Sequence, residues 1–75
     1  MSGAPKITAD DVIRALRRLG FVKVSQRGSH QKWKHPSTFK IVIVAYHAKK
    51  IIHPKTLATI VEGTGITMDE FREYL

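Results

Sequence analysis

The sequence predicts an α+β domain of one helix, a three-stranded antiparallel sheet, a second helix and a short helical tail. Apolar residues recur at helical spacing before Gly20 and again after Pro54. Between these segments lie three runs of strand-forming residues, separated only by short turn-forming stretches. Strands joined so closely are antiparallel, because a parallel pair needs a crossover of a dozen or more residues. With 75 residues the chain forms one domain, 1–75, in which 1–6 is expected to be loosely ordered. A core built from so short a chain is thin, and it leaves no room for a large substrate-enclosing cavity.

The first helix is announced by Thr8 and Asp11, which have the spacing of a capping box, with Ile7 and Val12 placed as a hydrophobic staple. It begins at Ala9. Val12, Ile13, Leu16 and Leu19 form its apolar stripe, Asp10 and Asp11 its acidic first turn, and Arg17 and Arg18 its basic last turn before Gly20. Phe21 to Gln26 reads as a strand with Val22 and Val24 on one face and Lys23 and Ser25 on the other. Arg27-Gly28-Ser29 is a tight connection. The second strand, His30 to His35, places His30, Lys32 and Lys34 on one face and Gln31, Trp33 and His35 on the opposite one. After the turn at Pro36-Ser37-Thr38, Phe39 to Ala45 is the most apolar strand, with an unbroken run from Ile41 to Val44 that predicts cover on both faces.

A basic connection carrying His47, Lys49 and Lys50 leads to Pro54, a residue tolerated in a first helical turn. The helix that follows runs to about Glu62 and uses Leu57, Ile60 and Val61 as its apolar face, with Gly63 and Gly65 ending it. Thr67 and Glu70 repeat the capping-box spacing, with Ile66 and Phe71 as staple, for a short helix ending at Leu75. Both helices are expected on one face of the meander, leaving the other face for RNA, a partner or water. This layout resembles the double-stranded-RNA-binding domain, although a fold alone assigns no function.

Thirteen Lys and Arg against six Asp and Glu give a formal charge of +7, which favours a polyanionic partner, nucleic acid first and an acidic protein second. The absence of cysteine excludes disulfides, thiolate zinc sites and a cysteine nucleophile, and fits a reducing cytoplasm. Met1 to Pro5 lack the features of a secretory signal, and no stretch approaches a membrane span.

Gly28-Ser29-His30 is the sharpest local feature: a histidine opening a strand after a glycine turn, with Lys32 and Lys34 on its side. Cleavage of RNA needs no external nucleophile, since the 2′-hydroxyl attacks phosphorus once its proton is removed. Imidazole suits that transfer, and lysines offset charge on the transition state without a metal or cofactor. The candidate site therefore comprises His30 for catalysis and Gly28, Ser29, Lys32, Lys34, Lys49 and Lys50 for RNA contact, with a solvated charge pair as the competing reading of Lys49 and Lys50. His30 as a plain polar strand residue is the competing reading. His47 is a candidate second acid–base group or an exposed loop residue, whereas His35 and His53 flank prolines and suit turns or caps. No pair among the four histidines has a recognised zinc-ligand spacing. Trp33, opposite in parity to His30, suits the core better than base stacking.

Leu19-Gly20-Phe21, Gly28-Ser29-His30, His47, Lys50, Thr56-Leu57, Ile60, Gly65-Ile66 and Glu70-Phe71, in this order and approximate spacing, resemble the HicA (YcfA-like) toxins. That resemblance implies a double-stranded-RNA-binding-like fold, metal-independent cleavage of mRNA as a toxin of a toxin–antitoxin pair, a catalytic role for His30, and neutralisation by a HicB-type antitoxin. The antitoxin would cover the His30 face or obstruct access to it, with Val22, Val24, Val42 and Val44 either contributing an apolar contact there or buried within the domain. The chain departs from the family's pattern at Ala45, where proline is frequent, and at Lys55, where glycine is. Two other readings fit the same basic chain: a non-catalytic double-stranded-RNA-binding module, and a subunit of a regulatory DNA-binding complex.

Overall fold

The computed structural model describes residues 6–75, so all but Lys6 of the segment expected to be loosely ordered lies outside the described residues. The element order is α1 (Ala9–Leu19), β1 (Val22–Arg27), β2 (His30–Lys34), β3 (Ile41–Ala45), α2 (Pro54–Thr64) and α3 (Met68–Arg72). The strands form one antiparallel sheet in the order β1-β2-β3. This is the predicted α+β arrangement, consistent with the double-stranded-RNA-binding-like fold.

Local side-chain chemistry sets the helix ends. Thr8 Oγ1 accepts from the Asp11 N–H, while Asp11 Oδ2 accepts from the Thr8 N–H at 2.9 Å. That bond from the Thr8 backbone holds the Asp11 carboxyl below its ordinary value. Thr67 and Glu70 repeat the arrangement at α3, and the Thr67 backbone N–H likewise lowers Glu70. Gly20 closes α1 in the left-handed region. Helix α2 runs two residues beyond the expected Glu62, to Thr64, and only Gly65 caps it. Gly63 lies inside the helix, where a Cβ would stand 3.3 Å from the Ile41 carbonyl oxygen, so its missing side chain lets α2 close onto β3. The terminal helix stops at Arg72 rather than Leu75, but Tyr74 and Leu75 still pack against the core.

Among the described residues, the sheet is covered on one face. Gln31, Trp33, Val42 and Val44 are buried beneath the helices, with Val12, Leu16, Ile60 and Phe71 opposing them in one cluster. Lys32, Ile41 and Ile43 point the other way and are exposed. The expectation that both faces of the third strand are covered is therefore wrong: Ile41 and Ile43 are each 47% exposed, because both helices lie on the Val42–Val44 side. Phe39 is outside that strand, with φ of 62°, and the Lys34 ammonium lies 5.2 Å from its ring centroid.

The first strand also differs from simple alternation. Lys23 pairs with Trp33 and Ser25 with Lys32, leaving Val24 as an extra residue in a bulge. Lys23 and Ser25 consequently fall on opposite faces, not on one. Of the four valines, Val42 and Val44 are buried, whereas Val22 and Val24 are about half exposed. Ile41 and Ile43, together with Val22, supply the apolar strip on the open face.

Candidate active site

The hairpin that presents His30 is a two-residue connection, Gly28-Ser29, between Arg27 and His30, which face each other in register. Gly28 has φ of 60°, and positive φ at the first connecting position is the pattern for which glycine is preferred. The Tyr46 N–H donates to the Ser29 carbonyl at 2.7 Å, anchoring this turn to the chain leaving β3. His30 therefore starts β2 from a fixed point, and its imidazole is exposed on the open face.

Around it is a hollow of about 410 Å³ lined by Ser25, Gln26, Arg27, His30, Lys32 and Ile43. Two cations flank the imidazole, and among the described residues no carboxylate lines the hollow. Its field is consequently positive, suited to an anionic substrate. Arg27 is the residue that sequence reasoning missed. The signal was available, since a two-residue turn over Gly28-Ser29 sets Arg27 opposite His30.

The other candidates are spread more widely. Lys34 shares His30's face but stands roughly 14 Å along the strand, with its ammonium over Phe39. Lys49, in the left-handed region, and Lys50 belong to the loop after β3, which is tied to the start of α1 through Ile52 N–H to Ile7 carbonyl at 2.7 Å. Lys50 lines a separate hollow with His47, His53 and Thr56. Lys32 is thus the one predicted lysine brought into the His30 hollow.

The remaining histidines divide by their bonding. His53 caps α2, its Nδ1 accepting from the Lys55 N–H at 3.1 Å. His35 Nδ1 accepts from the backbone N–H groups of Ser37 and Thr38, which leaves Nε2–H to donate to the Leu19 carbonyl at 3.2 Å. Both serve turns and caps as expected. Among the described residues, no three histidine or carboxylate side chains converge as a metal-binding group. Trp33 is 2% exposed and donates to Gln31 Oε1 at 3.0 Å, a core residue as its parity implied. Among the described residues, no helix is long and apolar enough to cross a membrane.

No curated protein matches the chain. The model of a family described as the HicA toxin of bacterial toxin–antitoxin matches residues 9–66. Because that match takes in well over half of the chain, from α1 through the cap of α2, this protein belongs to the HicA family of toxins from toxin–antitoxin systems.

Proposed function

We propose that this toxin is a cytoplasmic, metal-independent endoribonuclease that cleaves mRNA at His30 and is neutralised by a HicB-type antitoxin. The observation that carries the reading is an exposed imidazole set between Arg27 and Lys32 in a hollow without carboxylates. His30 removes the proton of a 2′-hydroxyl, and the 2′-oxygen bonds to phosphorus as the P–O5′ bond breaks. Water delivers a proton to the departing 5′-oxygen, and the protonated His30 returns its own to solvent, leaving a 2′,3′-cyclic phosphate and a 5′-hydroxyl. Arg27 and Lys32 offset the charge that builds on the phosphoryl oxygens. Gly28 and Ser29 place the imidazole, while Lys34, Lys49 and Lys50 contact the RNA backbone beyond the scissile phosphate.

The same face suits the antitoxin. Val22, Ile41 and Ile43 form an apolar strip beside the cations, so a partner with an acidic rim and an apolar centre covers both. The test is RNA cleavage with chelator present, with the product ends identified. Loss of cleavage in His30→Ala, with folding and most RNA affinity retained, supports the reading. Cleavage that persists in His30→Ala rules out the assignment, and 5′-phosphate products redirect the chemistry to an activated water. RNA binding without scission in the unaltered protein indicates a non-catalytic binding module instead.

A further inference from the structure

A further cleft, of about 620 Å³, lies on the opposite side of the sheet from His30, between α1 and the β1–β2 half of the sheet. It exists because the helical layer stops short of β1, all six of whose residues are exposed. Its floor is the buried Gln31–Trp33 pair, and its rim carries Arg14, Arg17 and Lys23. The one acid in its lining, Asp10, already accepts a hydrogen bond from the Tyr46 hydroxyl. Arg14 pairs with Asp11 at 3.3 Å, but among the described residues neither Arg17 nor Lys23 is in an ion pair. The Arg17 guanidinium lies 5.5 Å from the Trp33 ring centroid, and Lys23 Nζ donates to Gln26 Oε1 at 3.0 Å. Two cations are therefore held in place over a polar cleft that no described residue covers.

We propose that this cleft is a second binding site for the RNA strand whose scissile phosphate lies at His30, an inference that rests on the RNA-cleaving reading. The edge strand β1 joins the two sites. The bulge at Val24 turns Ser25 and Arg27 toward the His30 face and Lys23 toward the cleft, so one strand presents cations on both sides. Only that strand, about 5 Å across in the plane of the sheet, separates the faces, and a few nucleotides pass round it. In the cleft the RNA backbone meets Lys23 and the N–H edge of Arg17. A base stacks on the guanidinium plane that Trp33 supports from below. Trp33 itself is too buried to stack on a base.

The experiment measures binding to the His30→Ala protein, which holds RNA uncleaved, using a tetranucleotide and a dodecanucleotide. Arg17→Ala and Lys23→Ala are each expected to weaken dodecanucleotide binding several-fold and to leave the tetranucleotide affinity unchanged. Each is also expected to make the salt dependence shallower by about 0.7 per lost contact in log–log slope. Arg17 rests on a core residue, so Lys23→Ala, at an exposed strand position, decides the matter if Arg17→Ala does not fold. Dodecanucleotide affinity and salt slope unchanged in folded variants overturn the proposal. So does unchanged RNA binding with lost affinity for poly-glutamate, which assigns the cleft to an acidic protein segment. Cleavage by the unaltered protein is scored separately: its absence removes the catalytic role of His30, while the length-dependent affinity still decides the cleft.

Discussion

Replacing His35 by alanine separates a histidine that holds the fold from His30, the one proposed to do chemistry. The His35 ring makes three hydrogen bonds, to Leu19, Ser37 and Thr38, and meets the Phe21 ring edge-on at 5.2 Å. Water replaces part of what is lost at the exposed turn, so the three bonds contribute less than their full ~0.5–1.5 kcal/mol each. The aromatic contact adds about 0.5–1.5 kcal/mol. Together the loss is about 2–3 kcal/mol, which lowers Tm by roughly 10–20 °C in a domain of this size. Thermal and urea denaturation followed by circular dichroism measure it, and RNA cleavage is assayed well below the melting transition. His35→Ala is expected to be destabilised yet to cleave normally per folded molecule. His30→Ala should do the reverse, since an exposed strand residue changes stability by only about 0.5 kcal/mol. A His35→Ala protein that melts with the wild type, or that folds and no longer cleaves, refutes this division.

Gln31→Leu leaves the buried Trp33 N–H without its acceptor, a loss of about 1–3 kcal/mol, read by urea denaturation with tryptophan fluorescence. Gly28→Ala meets no neighbouring atom within 4 Å but must hold φ near 60°, which costs about 1 kcal/mol, measurable as a fall in Tm. Asp11 has a lowered pKa in the folded protein, so the unfolded chain binds that proton more tightly. The stability it contributes is fully present above the unfolded carboxylate value of about 4 and is lost as pH falls through the lower folded value. The difference in stability between wild type and Asp11→Ala, full at neutral pH, should therefore shrink in acid-titrated urea melts.

Helix starts were legible because capping boxes are local: Thr8 with Asp11 and Thr67 with Glu70 act over three residues and need no tertiary information. The parity of β2 was legible for the same reason, and it set His30 and Lys32 on one face and Trp33 in the core. What failed depended on what lies above the sheet. An unbroken run from Ile41 to Val44 cannot say whether one face or two are covered, and here one is. The bulge at Val24 reversed the face of Ser25 because one inserted residue shifts every side chain after it. Arg17 over Trp33, and the cleft they share, depend on where α1 stops relative to β1, which no periodicity records.

Whether His30 makes this toxin a ribonuclease is decided by cleavage of RNA under chelator, comparing the intact protein with His30→Ala. The assignment predicts fragments ending in 2′,3′-cyclic phosphate from the intact protein and none from the variant, although the variant stays folded and still binds RNA. Equal cleavage by both proteins would contradict it.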